Sequence, residues 1–157
     1  MVKYTKNDVG ILDAFRTASR SYSDSSILMH EAIARKAGLS GTDHKYLGLI
    51  IQNGVVTAGE LSKSTGLTTG AVTGVIDRLE KKKLVKRQFD KDDRRKVIIV
   101  PNTKLALKIL EPLFTTLQKK TEDLLLSFTK KEIQTIQRYF TEASVILKEI
   151  TNELNKD

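Results

Sequence analysis

Residues 57–100 read TAGELSKSTGLTTGAVTGVIDRLEKKKLVKRQFDKDDRRKVIIV, and their hydrophobic pattern changes period once. Thr57-Ala-Gly-Glu60 has the spacing of a capping box, and Gly66 suits the left-handed turn at which a short helix ends. Thr68 is placed to cap a second helix. That helix has four apolar residues at helical spacing: Val72, Val75, Ile76 and Leu79. The segment therefore predicts two short helices joined by a tight turn, a helix-turn-helix.

After Lys83 the pattern becomes that of strands. Residues 84–89 and 96–100 are alternating or β-branched runs, and the polar segment 90–95 separates them. Two such runs joined by a polar turn predict a β-hairpin. The predicted fold class is therefore mainly α with a small β-hairpin wing, a winged helix-turn-helix.

Helical patterns flank this core motif on both sides. We predict a helix over 8–36, which the polar run 19–26 weakens, and a second helix that follows a capping box at residues 40–43. Asn102 caps a long helix that Pro112 should bend, and a capping box at residues 129–132 opens the last helix. The 157 residues fit a single domain.

Positive charge is concentrated on the predicted hairpin. The chain carries a net charge of +8, and residues 77–96 hold ten basic and five acidic side chains, which contribute +5 of it. Arg94 and Arg95 at the hairpin tip suit the narrow minor groove of double-stranded DNA, where the negative potential is strongest. This concentration indicates a DNA partner and disfavours a membrane surface.

Several other classes of function lack their sequence signals. Without cysteine there is no disulfide, thiol chemistry or Cys-based zinc site, and His30 and His44 have no metal-ligand spacing. The chain has no nucleophile elbow, phosphate loop or dinucleotide fingerprint. It also shows no signal-peptide core and no apolar run long enough for a membrane span. We therefore expect a cytoplasmic protein that is not an enzyme and that needs no metal or cofactor.

The motifs of residues 57–95 resemble those of the multiple-antibiotic-resistance regulator (MarR) family. The resemblance is carried by Thr57-Ala-Gly-Glu-Leu61, Gly66-Leu-Thr68, Val75-Ile-Asp-Arg-Leu-Glu-Lys81, Leu84-Val85 and Asp92-Asp-Arg-Arg95. It implies a transcription regulator, in most cases a repressor, that binds a palindromic operator as a homodimer. It further implies a helical dimerisation region at 8–36 and 102–155, a DNA-binding lobe at 40–100 and release by a small aromatic or anionic effector.

The resemblance also assigns roles to single residues. Thr69 and Thr73 match recognition-helix positions near the bases, Arg95 matches the arginine of the wing, and Asp93 matches the acidic residue that supports the wing. Asp77 and Arg78 match an Asp-Arg pair whose role is structural as much as DNA-facing. The complete set predicted to contact DNA is Thr68, Thr69, Thr73, Arg78, Lys81, Arg94 and Arg95.

Three positions depart from the family pattern. Gly74 stands where many members carry an arginine or another long side chain, which puts one base contact in question. Lys83 replaces the glycine that usually follows the recognition helix, at a cost of about 1 kcal/mol if the backbone there is left-handed. Pro101-Asn102 stands where Leu-Thr is typical, although Asn102 is still a good cap.

Two alternatives and one effector site remain open from the sequence. Gly70 and Gly74 leave the recognition helix with fewer side chains that could contact bases. An architectural protein that coats DNA without sequence preference is therefore the main alternative. A ligand- or metal-binding enzyme on the same scaffold is the second, and it lacks a catalytic constellation. Tyr22 and Tyr46 are the predicted lining of an effector pocket, although aromatic residues at helical spacing more often belong to a core or a dimer interface.

Overall fold

The structure is a computed structural model that describes residues 9–155. Asp8, the predicted start of the first helix, lies outside the described residues. The elements, in chain order, are α1 (Val9–Lys36), α2 (Gly41–Asn53), α3 (Ala58–Thr65), α4 (Thr69–Lys81), β1 (Val85–Phe89), β2 (Val97–Pro101), α5 (Thr103–Leu126) and α6 (Lys130–Leu154). The predicted fold class, mainly α with a β-hairpin wing, is confirmed.

The chain divides into two compact units, Met1–His44 and Lys45–Asp157. In the first unit α1 runs without interruption for 28 residues and includes the polar run 19–26 that was expected to weaken it. Serine costs a helix only a few tenths of a kcal/mol per residue, and each added residue of a formed helix gains a hydrogen bond. Ser40 Oγ then accepts a hydrogen bond of 3.0 Å from the backbone N–H of Asp43, at the start of α2.

The core of the second unit lies between α3, α4 and the hairpin. Its fully buried side chains include Leu61 of α3, Ile76 and Leu79 of α4, and Ile99 of β2. Residue Val56 pairs with Ile99 through two backbone hydrogen bonds of 3.2 and 2.7 Å. This bridge gives the hairpin a third partner that the sequence pattern did not indicate, and it fixes the loop before α3 to β2.

The hairpin itself is antiparallel. Its register pairs Val85 with Pro101, Arg87 with Ile99 and Phe89 with Val97. Because side chains alternate along a strand, Val85 and Arg87 share one face of β1. Val85 is buried and Arg87 is half-buried, so this face of the hairpin is turned toward the interior of the unit.

The predicted caps are present in the second unit. At Thr57 and Thr129 the hydroxyl accepts from the N–H three residues later, and the glutamate there accepts from the threonine N–H, as a capping box requires. Asn102 caps α5 by accepting a 3.3 Å hydrogen bond from Leu105. Pro112 lies inside α5, which continues from Thr103 to Leu126, and the bend expected there stays a prediction.

Lys83 adopts the left-handed conformation that the family pattern reserves for glycine. Its φ is 61°, and among residues 9–155 it is the one non-glycine residue with positive φ. Lys83 N–H donates to Glu80 (2.8 Å) and Leu84 N–H donates to Leu79 (3.0 Å). These two bonds are those of a Schellman motif, in which Leu84 packs near the last turn of the helix. The motif stops α4 and starts the hairpin despite the strain at Lys83.

Lys83→Gly is therefore expected to raise the free energy of unfolding by about 1 kcal/mol, because glycine adopts the left-handed conformation without a Cβ clash. Urea denaturation followed by circular dichroism measures the change. Lys82→Gly is the matched control, since it removes the same charge at a residue with an ordinary φ of −86° and should bring no gain. Equal gains in both variants would show that charge, and not backbone strain, is responsible.

Candidate nucleic-acid interface

Helix α4 has a buried face and an exposed polar face. Val72, Val75, Ile76 and Leu79 are buried on one side. The residues predicted to contact DNA are exposed on the helix and its N-cap: Thr68, Thr69, Thr73, Arg78 and Lys81. The structure thus brings all five together on one element, and the burial of the apolar face fixes which side of that helix meets a partner.

The turn before α4 has a geometry that requires glycine. Gly66 has a φ of 71° and donates a 3.0 Å hydrogen bond to Ser62, which ends α3. The hydroxyl of Ser62 donates back to Leu67 at 2.6 Å. A Cβ placed on Gly66 would lie 2.5 Å from the side-chain oxygen of Asn155, at the end of α6. The left-handed backbone therefore favours glycine in this turn, and a larger residue would also require the Asn155 side chain to move.

The tip of the hairpin is built by aspartate side chains. Asp90 accepts hydrogen bonds from the N–H groups of Asp92 (2.8 Å) and Asp93 (3.2 Å), and its own N–H donates to Lys96 (2.9 Å). The two N–H donors, first that of Asp92, hold the pKa of Asp90 below its usual value. Such local side-chain to backbone bonds are what shape an otherwise short polar loop.

Arg94 and Arg95 both project from this tip and are exposed. Asp93 accepts from the N–H of Arg95 at 3.0 Å and from its Nε at 3.2 Å. The contact attaches Nε of Arg95 to the carboxylate of Asp93, and the Arg95 side chain is still 92% exposed. This geometry is what the predicted supporting role of Asp93 needs.

A pair of ion pairs joins β1 to α4, and the charge pattern of the sequence does not indicate it. Arg87 Nη2 lies 2.5 Å from Asp77, Arg87 Nη1 lies 2.5 Å from Glu80, and the Arg87 N–H donates to Glu80 at 2.8 Å. The Arg87 N–H is the main reason that the pKa of Glu80 lies below its usual value. Burial acts to lower the pKa of Arg87, but the hydrogen bonds to Asp77 and Glu80 outweigh it and raise this pKa.

By its charge alone, Arg87 belongs to the ten basic residues of the predicted DNA-facing segment. The signal that could have separated it is strand alternation, because Arg87 follows the apolar Val85 by two residues and so shares its inward face. An inward cation next to a helix that carries two carboxylates predicts an ion pair. The side chain of Arg87 is only 30% exposed, and its charge is paired with Asp77 and Glu80 within the protein.

The residues predicted to line an effector pocket have different environments. Tyr22 is 65% exposed on α1 in the first unit, and Tyr46 is 3% exposed on α2 in the second. Their assignment to a pocket stays a prediction.

The two histidines are near each other in the first unit, with ring centroids 5.5 Å apart. Burial, followed by the charge of His30, lowers the pKa of His44. Within residues 9–155 no three potential ligands among His, Asp and Glu come together as a metal site would require. No helix in this described part of the chain is both long and apolar enough to span a membrane.

Arg87→Met is expected to lower the free energy of unfolding by about 1 kcal/mol, because it removes the shared cation of two neighbouring carboxylates whose exposure to solvent screens the interaction. Methionine keeps most of the apolar stem, so the loss reports on the charge. Urea denaturation measures it, with Arg94→Met at the exposed tip as the control, for which a change within about 0.5 kcal/mol is expected. A loss of the same size in the control would refute a structural role for the bridge.

Comparison with known proteins agrees with this geometry. A model of the MarR family matches residues 37–96. The uncharacterized HTH-type transcriptional regulator YcgE of Bacillus subtilis (strain 168) is 40% identical over 131 residues, which are 83% of this chain and 84% of that protein.

Two solved structures have the same fold. Streptococcus pneumoniae FabT in complex with DNA gives a TM-score of 0.72 at 20% identity and covers 88% of this chain and 99% of its own. A MarR family protein from Bacillus stearothermophilus gives a TM-score of 0.69 at 21% identity and covers 92% and 99%. With these matches and the exposed helix and wing, the chain belongs to the MarR family of helix-turn-helix transcription regulators, which are DNA-binding proteins and not enzymes.

Proposed function

We propose that this regulator acts in the cytoplasm as a homodimer that binds a palindromic operator, and that it represses transcription there. The observation that carries the proposal is the junction of α4 with the hairpin. The Arg87 bridge and the shared core hold the exposed face of α4 and the basic wing in one fixed arrangement. Two elements fixed in this way can bind two adjacent grooves of the same duplex.

The shape and charge of each element suit a different groove. Helix α4 has 13 residues, and its exposed N-terminal side chains are small, so the helix can enter the major groove closely. The wing presents Arg94 and Arg95 on a short hairpin, and arginine is favoured where a minor groove is narrow. FabT, whose structure was solved in complex with DNA, shares this fold.

The proposed dimer is supported by apolar surface that its own chain leaves uncovered. None of the 25 residues of α6 is buried, although the helix is strongly amphipathic. Its exposed apolar residues include Phe140, Leu147, Ile150 and Leu154. In the first unit, α1 exposes Ile11, Phe15 and Leu28. Exposed apolar faces of this length are typical of association surfaces, and a second copy of the chain provides matching faces.

A dimer explains the expected form of the operator. A two-fold axis relates the two copies of α4, so each half-site is the inverted repeat of the other. Successive major grooves on one side of the duplex are about 34 Å apart, which sets the distance between the two recognition helices. Repression follows if the bound dimer occupies DNA that the transcription machinery needs.

Control by an effector is proposed on the family resemblance. A small aromatic or anionic molecule that binds one arrangement of the dimer better than another shifts the population toward it. If that arrangement places the two recognition helices at the wrong distance, the operator is released. Tyr22 and Tyr46 are the residues at which we would first look for contact with such a molecule.

One observation favours the alternative of an architectural protein without sequence preference. Gly70 has no side chain, and a Cβ there would meet nothing within 4 Å, so this position on the exposed face of α4 offers no side chain to base edges. Phosphate contacts alone would then account for binding. Specific recognition and non-specific coating differ in their affinity ratio between one site and random DNA.

Titration of the protein against a pool of genomic fragments, including the DNA upstream of its own gene, separates the two functions. The proposed function predicts enrichment of one near-palindromic site whose affinity exceeds that of random DNA by about a thousandfold or more. Repeating the titration at a second salt concentration gives the number of phosphate contacts from the slope of affinity against salt. Uniform binding that collapses at the higher salt would instead establish the architectural function.

Leu147→Asp is expected to convert the dimer into monomers, because it places a charge on the exposed apolar stripe of α6, where Leu147 is 68% exposed. Analytical ultracentrifugation measures the molecular mass. Asn152→Asp is the matched control: it adds the same charge about 140° around the helix from Leu147, at 3.6 residues per turn, and should leave the dimer intact. A dimeric Leu147→Asp variant would mean that another face joins the two copies.

A further inference from the structure

We propose that a cleft at the base of the hairpin binds a small organic anion that has an apolar body. The cleft lies where the end of α4, both strands and the N-cap of α5 meet, and its volume is about 530 Å³. This volume is within the range of small-molecule sites. The inference goes beyond the proposed function, because the site includes neither Tyr22 nor Tyr46 and its ligand can be measured without DNA.

Two of the three departures from the family pattern meet in this cleft. Lys83, which stands in place of glycine, and Pro101-Asn102, which stands in place of Leu-Thr, all line it. The side-chain Nδ2 of Asn102 donates a 3.1 Å hydrogen bond to the backbone carbonyl of Lys83, 19 positions earlier in the chain. The departures therefore form one connected wall, and this wall is particular to the present chain.

Lys83 brings a positive charge to the cleft despite a strained backbone. Its φ of 61° is one that glycine adopts without a Cβ clash. Strained residues of this kind are concentrated at functional sites. A lysine that bound only DNA phosphate would not need this position, because its flexible stem lets a point charge act from many backbone positions. A ligand in the cleft gives residue 83 a reason to be lysine.

The charges that line the cleft favour an anion. Lys86 of β1 is the second cation, and within residues 9–155 neither lysine makes an ion pair. The carboxylate of Glu80 also lines the cleft. It accepts from the N–H of Arg87 at 2.8 Å and pairs with Nη1 of that residue at 2.5 Å. Because Arg87 offsets the charge of Glu80, the two lysines leave the cleft with an excess of positive charge.

The rest of the lining favours an organic molecule over a bare ion. Val100 is half-buried and pairs across the hairpin with Lys86. Pro101 is also half-buried and pairs with the buried Val85. Apolar surface next to a few charged groups is typical of sites for small molecules. A phosphate group of DNA gains nothing from this apolar surface, whereas the body of an organic anion is removed from water by it.

The test is a titration of the full-length, isotope-labelled protein, followed by the backbone amide NMR signals of Lys83, Lys86 and Asn102. The probes are naphthoate, naphthyl phosphate, neutral naphthamide and inorganic phosphate. Both organic anions should give saturable shifts at these amides. Naphthamide lacks the charge and inorganic phosphate lacks the apolar body, so each should bind about tenfold more weakly or worse.

Variants connect the binding to the two lysines. Lys83→Gly and Lys86→Gln should each weaken naphthoate binding by about tenfold or more, because each removes a charged donor. Lys82→Gly is the matched control, since Lys82 does not line the cleft, and it should keep the wild-type affinity. Lys83→Gly also relieves backbone strain, so a loss of binding in that variant does not come from unfolding. Circular dichroism melts check that Lys86→Gln folds.

Several results would overturn the inference. Naphthamide that binds as tightly as naphthoate would show an apolar cleft without preference for charge, and equally tight inorganic phosphate would show an ion site only. Shifts confined to α1 or α6 would place the probes on the exposed apolar faces. Unchanged affinity in both lysine variants, or no shift of the three amides at about 10 mM probe, would refute the site. All these readouts are free of DNA, so they leave operator binding untouched, and a failed operator titration leaves this site intact.

Discussion

The ion pairs of Arg87 with Asp77 and Glu80 are the interaction on which the interface depends. A two-stranded hairpin of five-residue strands is marginally stable by itself in water. Here the inward face of β1 is attached to α4 by a half-buried cation, and Ile99 of β2 is fixed to the loop before α3 through Val56. The wing therefore has a defined direction relative to the recognition helix, and a fixed direction is what allows two elements to engage one duplex together.

Four of the five acidic residues of this basic segment are structural. Asp77 and Glu80 hold Arg87, while Asp90 and Asp93 shape the tip from which the arginines project. The five carboxylates lower the net charge of residues 77–96 to +5, and these four also order the backbone and the side chains around them. The charged side chains predicted to bind DNA and those that stabilise the structure thus lie within the same twenty residues. The division between them is set by which side chains face inward.

Stability and assembly are distributed unevenly along the chain. The recognition helix and the hairpin share a small buried core, whereas α6 buries no residue at all. A helix with an apolar face and no core of its own gains stability chiefly by packing. Association of two copies would accordingly stabilise α6 and set the distance between the two recognition helices. Any molecule that changes how the copies pack would change the fit to an operator, which gives the proposed control by an effector its physical basis.

Local features of the fold were determined by the sequence itself. The capping boxes at Thr57 and Thr129, the left-handed Gly66 and the change of period after Lys83 depend on residues close in the chain, so their patterns identified six helices and a hairpin with ends correct to within a few residues. The exposed residues of α4 followed from the same periodicity. The family resemblance added roles for Asp93 and Arg95, and their contact has the geometry those roles need.

Only the tertiary structure decided the contacts between residues that are distant in the chain. It also decided the direction of long side chains that can adopt several rotamers. The bridge of Val56 to Ile99 joins residues 43 positions apart, and no local pattern encodes such a pairing. Arg87 reads as one more basic residue of a DNA-facing segment, yet its side chain is turned inward to two carboxylates. A sequence states that a side chain is charged and long, but its direction depends on the packing and hydrogen-bond partners that surround it after folding.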